Sequence, residues 1–524
     1  MNVSQKACGS NSDFFSGFMI AGTSTNSGKT SLVLAFMTAL KRRNFQLFGF
    51  KSGPDYIDPL LHYFASANLS YNLDTCLMSE DSCRQVFYSE RTQTKIADNL
   101  FSGLIPFQRK PENQTQKLGS VHIVEAAMGL FDGVYGGAKS SSSPRGSAGF
   151  LAKILNIPIV LVVDAASYAH SIAAMVQGFV NFDPELNFLG VIVNKVASLK
   201  HKELIREAFE VYCPHIPLLA LIPKESKLEL KSRYLGLNFE AVAEESYFDL
   251  LADRLEAHLE INLIDFVQSL PRFKYTQNLD EKDDRAKTSL SCLGSKPVEK
   301  IHKDKVRIGI AADKAFCFHY ALNYQALMKA GAELEFFSPL NDKNIPHNLD
   351  ALLLGGGYTE EHAKDLSCNI NMLHSINEAL NNGVSVWAEG GGFIYLGKGL
   401  YIQGKDFFSF ADYFPLSFSF EQKRQGLGYV NAEFKNSTLV AQKNSCLSGH
   451  LFHYSKVLET EFPLGFIPLY ALTNYNGTQV EEKKIVACVK SGTYNAGGFM
   501  HLMCNEKDNI AENFVQLCKK TDVF

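Results

Sequence analysis

Residues 22–30, which read Gly-Thr-Ser-Thr-Asn-Ser-Gly-Lys-Thr, constrain the fold of this chain more than any other stretch. They follow the apolar run 18–21, which predicts a short buried strand, and precede residues 31–40, whose apolar spacing predicts a core-facing helix. A glycine-rich turn between a strand and a helix directs backbone N–H groups and the positive end of the helix dipole at one point, where phosphate binds. The sequence therefore predicts a nucleotide site on this loop.

The residue types of the loop predict individual roles. Lys29 is expected to reach the β- and γ-phosphates, and the hydroxyl of Thr30 to bind Mg²⁺. The strict P-loop spacing would place glycine at position 23, where threonine stands, so the loop is a variant of that motif. The other residues expected to contact the nucleotide are Gly22, Thr23, Asn26, Ser27, Gly28 and Ser31.

Composition excludes several classes of function. The 524 residues suffice for two or three domains, and an apolar content of 46% with 20% charged residues is that of an ordinary globular protein. A net charge of −4 without a basic patch argues against nucleic acid, and no apolar run reaches the roughly 20 residues of a membrane helix. The 11 cysteines form no CxxC pairs, and the N-terminus lacks a signal-peptide pattern. We expect reduced thiols and a cytoplasmic protein.

A charged turn follows the next predicted strand. Residues 48–51 have the apolar character of a strand and run into residues 52–59, where Lys51, Asp55 and Asp58 stand beside two prolines. Ligands of open α/β sheets bind at the carboxyl ends of the strands, so these side chains and the nearby Asp74 are candidate site residues. The alternative is a solvated turn whose aspartates cap a helix.

Three further apolar segments predict strands of the same sheet. The segment 121–124 ends at Glu125, about a hundred residues after the loop. A carboxylate at this place suits a ligand of Mg²⁺ or a residue that positions a water molecule. The segments 158–164 and 189–196 are apolar throughout, as in a parallel sheet covered on both faces, and Asn194 lies where a nucleotide base could be read. Strands alternating with helices predict a doubly wound α/β fold.

A second α/β unit is predicted from residue 306. Residues 355–358 offer free backbone amides after a strand, and the strand 384–389 turns through Gly390 into a helix, the layout of a nucleophile elbow. The predicted division of the chain is a tail (1–15), a nucleotide-binding domain (16–273), a charged, Ser- and Gly-containing linker (274–305) and a C-terminal domain (306–524).

Several of these segments together resemble the cobyrinic acid a,c-diamide synthases, two-domain, ATP-dependent amidotransferases of corrinoid biosynthesis. The signatures in the N-terminal half are residues 22–30, 51–59, 72–74, 125–133 and 233–237. The C-terminal half resembles the class I glutamine amidotransferase domain of that family, at Asp313 and at residues 315–316, 337–340, 355–358, 449–450 and 452–455. Ala126 and Tyr234 depart from the glycine and histidine usual in the family.

The resemblance implies the fold, the cofactors and the substrates. It implies a dethiobiotin-synthetase-like P-loop domain with a doubly wound parallel sheet, followed by a class I glutamine-amidotransferase-like α/β domain. ATP and Mg²⁺ are the implied cofactors, and a corrinoid, cobyrinic acid, is the implied substrate. Glutamine or ammonia supplies the nitrogen. The sequence does not fix the oligomeric state, for which a homodimer is one option.

The resemblance also assigns roles to residues. Lys29 and the loop amides would hold the phosphates, while Thr30 and Glu125, together with Asp55, would hold Mg²⁺. Lys51 would neutralise charge developing between the γ-phosphate and the substrate carboxylate. Asp58 and Asp74 would position the substrate or the ammonia, and His501 stands at the position of the glutaminase general base.

One departure bears directly on chemistry. The family's elbow reads Ala-Glu-Cys-Gly-Gly, whereas this chain has Gly390 in place of the cysteine, so no thioester can form there. Leu451 replaces a usual glutamate and Met503 a frequent histidine, which favours a lost glutaminase over an altered one. The alternative is a nucleophile displaced to another cysteine of this half, namely Cys368, Cys446, Cys488 or Cys504.

We therefore expect amidation of the a and c carboxylates of cobyrinic acid, with free ammonia in place of glutamine. Three alternatives stay open on the sequence. The acceptor could be another tetrapyrrole (hydrogenobyrinic acid or nickel sirohydrochlorin), the chain could be a dethiobiotin synthetase, or it could be a non-catalytic ATP-binding homologue.

Overall fold

The strand–loop–helix unit predicted around residues 22–30 is present in the computed structural model. Strand β1 (Phe14–Gly22) leads through the loop into helix α1 (Lys29–Lys41). The structure describes residues 13–90, 100, 117–134, 142–225, 232–233, 236–237, 245–276, 305–474, 485–505 and 507–520. Most of the predicted linker, residues 277–304, lies outside these ranges, as does Tyr234.

The N-terminal domain alternates strands and helices after this first unit. Its further elements are β2 (Phe45–Ser52), α2 (Asp58–Ser66), β3 (Tyr71–Leu73), α3 (Glu80–Tyr88), β4 (Gly119–Glu125), α4 (Ala148–Leu155), β5 (Ile159–Asp164), α5 (Ser171–Phe182), β6 (Phe188–Val196), α6 (Leu199–Tyr212), β7 (Leu218–Pro223), β8 (Ser232–Arg233), β9 (Gly236–Leu237), α7 (Glu245–His258), α8 (Leu263–Ser269) and β10 (Arg272–Lys274).

Seven of these strands form one parallel sheet in the order β3-β2-β4-β1-β5-β6-β7, and β10 pairs antiparallel with the start of β1. The central strands are buried along their length, as the apolar runs predicted for a sheet covered on both faces. Because the strands are parallel, their carboxyl ends share one edge. That edge carries the phosphate loop, the charged turn after β2 and Glu125 at the end of β4.

The C-terminal half opens with a strand at Val306 and contains more strands than the sequence indicated. Its elements are β11 (Val306–Ala311), α9 (Ala321–Lys329), β12 (Ala332–Phe337), β13 (Ala351–Leu354), α10 (Ala363–Cys368), α11 (Ile370–Asn381), β14 (Ser385–Glu389), α12 (Gly391–Tyr395), β15 (Gly399–Ile402), β16 (Asp406–Ser409), β17 (Ser417–Phe420), β18 (Gly426–Phe434), β19 (Cys446–His453), β20 (Ser455–Val457), β21 (Phe466–Pro468), β22 (Tyr470–Asn474), β23 (Ala487–Lys490), β24 (Ala496–Gly498), β25 (Met500–His501) and α13 (Ile510–Lys520).

Three sheets organise this domain. The main sheet runs β12-β11-β13-β14-β24-β23-β21, parallel from β12 to β24, and the elbow follows β14. Two four-stranded sheets, β16-β15-β17-β20 and β22-β18-β19-β25, lie beside it. In the second of these, β19 pairs antiparallel with β25 so that His450 lies opposite His501. The α/β class predicted for both halves is confirmed.

The two domains contact each other at the carboxyl edge of the first sheet. The hydroxyl of Tyr320 donates to the carbonyl oxygen of Pro54 at 3.1 Å, and the side-chain amide of Gln325 donates to the hydroxyl of Tyr71 at 2.5 Å. The C-terminal domain therefore rests directly on the charged turn. None of the helices in the described ranges has both the length and the apolar character needed to cross a membrane.

Candidate functional site

The phosphate loop follows a path that its two glycines permit. Gly28 caps the start of α1 with φ at 94°, in the left-handed region that favours glycine. A Cβ atom on Gly28 would lie 2.1 Å from Nδ2 of Asn194, and one on Gly22 would lie 2.2 Å from Oγ of Ser27. At Gly28 the left-handed backbone and the close amide of Asn194 both disfavour a side chain, whereas at Gly22 a Cβ atom would displace the hydroxyl of Ser27.

Lys29 lies within the loop with its side chain buried. Its ammonium donates to the carbonyl oxygen of Ser24 at 2.9 Å. Burial, and then the positive charge of Lys51, lower the pKa of Lys29 to about 8. An anion bound in the loop would favour the charged form of this lysine, which is the electrostatic requirement for a phosphate site.

Glu125 joins the loop to the charged turn. Its Oε1 accepts from the hydroxyl of Thr30 at 2.6 Å and from the ammonium of Lys51 at 3.0 Å, and its Oε2 accepts from Nε2 of His62 at 2.7 Å. Complete burial alone would raise the pKa of Glu125, but the charge of Lys51 and the hydrogen bonds from His62 and Thr30 hold it below the ordinary value. The carboxylate is therefore ionised at neutral pH.

Lys51 is enclosed between two carboxylates, those of Glu125 and Asp58, and donates a hydrogen bond to each. Burial alone would lower the pKa of Lys51, but these two negative charges raise it above its ordinary value. Burial and the nearby charges of Asp55 and Glu125 raise the pKa of Asp58. A fixed positive charge thus lies between the loop and the turn.

His62 is a member of this network that the sequence did not indicate. It lies one helical turn after Asp58 in α2, so both side chains project from one face of the helix toward the end of β4. That i, i+4 spacing was the available signal. Without knowledge that α2 packs against Glu125, a buried histidine is more simply explained as a core residue.

The oxygen donors at the loop fit Mg²⁺. Thr30 Oγ1 and Glu125 Oε1 lie 2.6 Å apart beside the phosphate loop, and both are hard oxygen ligands. Mg²⁺ is usually held by one or two protein oxygens together with substrate phosphates and water. Among the described residues no group of three or more His, Cys, Asp or Glu side chains forms a metal cage. A nucleotide would therefore supply most of the ligands.

Asp55 orders the turn that leads into α2 and also lines the cavity described below. Its Oδ1 accepts from the backbone N–H groups of Ile57 at 2.8 Å and Asp58 at 3.1 Å. The N-cap of α2 is Ile57, which makes no side-chain cap hydrogen bond, so the helix-capping aspartate of the alternative interpretation is not observed here. Ordering the turn and binding a ligand are compatible at Asp55.

Asp74 lies at the domain boundary rather than on the cavity wall. Its Oδ1 accepts from the backbone N–H groups of Cys76 at 2.7 Å and Leu77 at 3.1 Å. Its Oδ2 accepts from the hydroxyl of Tyr429, in the C-terminal domain, at 2.8 Å. Asp74 as a whole is 1% exposed. Its role in placing substrate or ammonia stays a prediction, and any such role would act through Tyr429.

Asn194 packs on the loop. Its Nδ2 donates to the carbonyl oxygen of Ser27 at 3.0 Å, and its Oδ1 accepts from the backbone N–H of Lys195 at 2.9 Å. The ammonium of Lys195 bridges Asp164 Oδ2 at 2.6 Å and the carbonyl oxygen of Asn26 at 3.0 Å. Asn194 therefore holds the loop, and base recognition by Asn194 stays a prediction.

A cavity of about 1,130 Å³ connects these groups with the C-terminal domain. Its N-terminal side includes the loop, the charged turn and Glu125. The predicted residues that line it are Asn26, Gly28, Lys29, Thr30, Ser31, Lys51, Asp55, Asp58, Glu125 and Asn194. Its other side consists of residues from β18, β19 and β22, of which only His450 and Phe452 belong to segments that the sequence analysis singled out.

The elbow after β14 has the predicted strand–turn–helix form. Gly390 has φ at 51° and ψ at −112°, a conformation that costs any residue with a side chain strain energy. A Cβ atom on Gly390 would lie 2.9 Å from both Cε1 and Nε2 of His501. Nδ1 of His501 is hydrogen-bonded to Oε2 of Glu389 at 3.2 Å. The histidine is oriented toward residue 390, but it occupies the space that a side chain there would need.

Tyr56, from the charged turn, fills the region in front of His501. Its ring stacks on that of Phe318 with 5.0 Å between centroids, and lies 5.0 Å from the His501 ring. A cavity of about 20 Å³, lined by Tyr56 and Phe318, lies beside these two rings. The N-terminal domain thus contributes an aromatic ring that packs against His501.

The four alternative cysteines differ in their exposure. Cys368 and Cys446 are exposed, while Cys488 and Cys504 are buried. Burial raises the pKa of the Cys488 thiol, and burial with the charge of Glu389 raises that of Cys504, which disfavours the reactive thiolate. Over the described residues, no hydrogen bond joins any of these four thiols to His501.

Comparisons with known proteins match both halves. Residues 18–237 match the CobQ/CobB/MinD/ParA nucleotide binding domain, and residues 307–509 match the CobB/CobQ-like glutamine amidotransferase domain. Among solved structures, the MinD cell division protein of Aquifex aeolicus aligns with 16% identity over 48% of this chain and 95% of its own, at a TM-score of 0.25, which is too low to support an inference.

Whole-chain relatives share one name. The cobyrinate a,c-diamide synthase of Caldanaerobacter subterraneus is 34% identical over 440 residues, covering 84% of this chain and 86% of the relative. The cobyrinate a,c-diamide synthase of Dehalococcoides mccartyi is 30% identical over 512 residues, covering 96% of this chain and 98% of the relative.

Proposed function

The chain belongs to the cobyrinate a,c-diamide synthase family, and from this premise we propose that it amidates the a and c side-chain carboxylates of cobyrinic acid with Mg-ATP and free ammonia. In each amidation a carboxylate oxygen attacks the γ-phosphorus of ATP, which releases ADP and leaves an acyl phosphate. Ammonia then attacks the acyl carbon, phosphate leaves with the electrons of the C–O bond, and the nitrogen loses a proton to give the amide.

The phosphate loop and the buried network supply the groups that this reaction needs. Lys29 and the loop amides hold the phosphates, while Thr30 and Glu125 offer oxygens to Mg²⁺. Lys51 keeps its positive charge between Asp58 and Glu125, so it can neutralise charge that develops between the γ-phosphate and the substrate carboxylate. Asp55, which faces the cavity, is placed to complete the metal site or to orient the acceptor.

The proposal that ammonia replaces glutamine is carried by one observation, the relation of Gly390 to His501. Position 390 has no nucleophilic side chain, and the ring of His501 lies where a Cβ atom would stand. The ring of Tyr56 lies 5.0 Å from that of His501, so the geometry offers a glutamine side chain no nucleophile and places an aromatic ring against the histidine. In contrast, the synthetase cavity is wide and accessible to small molecules.

The test is product formation from cobyrinic acid and Mg-ATP with either ammonium chloride or glutamine. Mass spectrometry with ¹⁵N-labelled ammonium chloride should show two labelled amides, whereas amide-¹⁵N-glutamine should give no product above the donor-free control. Rapid glutamine-dependent turnover that an affinity label on another cysteine abolishes would contradict the ammonia proposal. Absence of any corrinoid product with both donors would contradict the assigned substrate.

A further inference from the structure

We propose that the C-terminal domain provides half of the acceptor site, holding the corrinoid ring while the N-terminal domain activates the carboxylate. The surface concerned, here named the C-terminal wall, consists of Leu427, Tyr429, His450, Phe452 and Asn474. The inference rests on the proposed substrate, a large flat macrocycle with carboxylates at its edge. It assigns this domain a function that does not require glutamine hydrolysis.

Four residues of the C-terminal wall share one face of a sheet. Leu427 pairs with Phe452, and Tyr429 with His450, in the antiparallel register of β18 and β19. Residues two apart in a strand point to the same face, so these four side chains project together toward the cavity. Asn474 ends β22, the neighbour of β18 on its other side, and lines the cavity at the end of that strand.

The chemistry of the C-terminal wall suits the ring of a polycarboxylate. Leu427 is 57% exposed and Phe452 is half-buried, which leaves apolar surface for the ring to cover. Burial, and then the proximity of His501, lower the pKa of His450 to about 3, so its imidazole is neutral at physiological pH. All five side chains are therefore uncharged, and none repels the carboxylates of a corrinoid acid.

His450 also has unused hydrogen-bonding capacity. Its ring lies against that of Tyr429 with 5.4 Å between centroids, and its Nδ1 is buried without a hydrogen-bond partner among the described residues. Buried polar atoms in native proteins usually have a partner, so the unpaired nitrogen leaves this cavity-lining histidine with one unused hydrogen-bonding position. An amide or carboxyl group at the edge of the ring has the complementary chemistry.

The dimensions of the cavity agree with two ligands side by side. Sites for single drug-sized ligands measure roughly 300–1,000 Å³, whereas this cavity measures about 1,130 Å³ and extends from the phosphate loop to the C-terminal wall. The charged groups lie on the N-terminal side, with Lys29, Lys51 and Glu125 around the loop. The charged nucleotide would therefore bind on the charged N-terminal side, and the macrocycle would bind on the uncharged C-terminal wall.

The experiment places a charge on the C-terminal wall. Leu427→Asp should raise the KM for cobyrinic acid about tenfold, because the new carboxylate repels the acceptor, and should leave the KM for ATP within about twofold. Leu427→Lys should keep or lower the KM for cobyrinic acid. The matched control is Leu464→Asp in the same domain, whose side chain is fully exposed and lies outside the cavity, and which should leave both KM values unchanged.

Equilibrium dialysis of cobyrinic acid against each variant separates the two proposals. If wild-type protein binds and amidates cobyrinic acid but Leu427→Asp behaves like Leu464→Asp, the C-terminal wall is not part of the acceptor site and the proposed function stands. An equal rise in the KM for ATP would also overturn the inference. If wild-type protein neither binds nor amidates cobyrinic acid, the proposed function fails and the inference fails with it.

Discussion

The ring of His501 lies in the space that the side chain of residue 390 would enter, because a Cβ atom on Gly390 would stand 2.9 Å from two of its ring atoms. Cβ atoms do not approach other heavy atoms so closely in proteins, so the ring would have to move before any larger residue could be accommodated. Glu389 and Tyr56 contact the ring on other sides and restrict that movement. The packing around position 390 therefore fits glycine.

Gly390→Cys is therefore expected not to restore glutamine-dependent amidation. Adding a side chain at φ 51° should also lower the free energy of unfolding by about 1–3 kcal/mol. Urea denaturation measures the loss of stability, and ¹⁵N-glutamine labelling of the product measures the activity. Gly390→Ala is the control, since it adds the same Cβ atom and should be destabilised equally. Vigorous glutaminase activity of the cysteine variant would show that the packing around glycine does not block the site.

The hydroxyl of Thr30 is expected to set the requirement for Mg²⁺. Thr30→Val removes the hydroxyl that lies 2.6 Å from Glu125 while keeping the shape of the side chain. The Mg²⁺ concentration for half-maximal ATP-dependent amidation should rise about 10- to 100-fold, the range seen when groups supporting a metal site are removed. Thr30→Ser keeps the oxygen and should stay near the wild-type value. A valine variant with an unchanged Mg²⁺ requirement would exclude Thr30 from the metal site.

Removing the charge of Lys51 is expected to destabilise the fold as well as abolish amidation. Lys51→Met leaves the carboxylates of Asp58 and Glu125 buried without their cation, and breaking such a pair costs about 3–5 kcal/mol. The comparison is Lys195→Met, which breaks the more exposed pair with Asp164 and should cost about 1 kcal/mol or less. Chemical denaturation of both variants measures the difference, and equal losses would contradict the importance of burial here.

The lowered pKa of Lys29 predicts opposite effects of pH on stability and on nucleotide binding. Its folded pKa of about 8 lies below the ordinary 10.5, so between these values the unfolded chain binds more protons. The contribution of Lys29 to the stability of the ligand-free protein therefore rises with pH across that window. Bound ATP favours the charged lysine, so ATP binding above pH 8 should take up a proton and weaken as pH rises.

Titration calorimetry at pH 8.5 in two buffers with different ionisation enthalpies measures this proton uptake. The apparent binding enthalpy of wild-type protein should differ between the buffers in proportion to the protons bound. Lys29→Arg keeps its charge at this pH and should show no difference that depends on the buffer. Identical enthalpies for the wild-type protein in both buffers would show that Lys29 is already charged before ATP binds.

The hydrophobic pattern of the sequence predicted those site residues that lie at the carboxyl end of a strand. The loop, Lys51 and Glu125 each follow or end an apolar strand, and parallel pairing brings strand ends to one edge, so their proximity follows from the sequence. His62 could not be predicted in this way, because its role depends on how α2 packs against Glu125. The contacts of Tyr56 and Tyr429 depend on how two domains are placed, and sequence periodicity within either domain carries no information on that placement.

The hydrogen bond from Tyr429 to Asp74 is expected to couple the two domains energetically. Tyr429→Phe leaves Asp74 Oδ2 without this donor in a site where Asp74 as a whole is 1% exposed, which should cost about 1–3 kcal/mol of stability. If the two side chains interact, the double variant Asp74→Asn, Tyr429→Phe should lose less free energy of unfolding than the two single variants together. The difference, which is the coupling free energy, should be about 0.5–3 kcal/mol. Tyr401→Phe, which removes a hydroxyl away from the cavity, is the control. Strictly additive losses would show that the contact does not join the domains, and Asp74 would then act independently of the C-terminal wall.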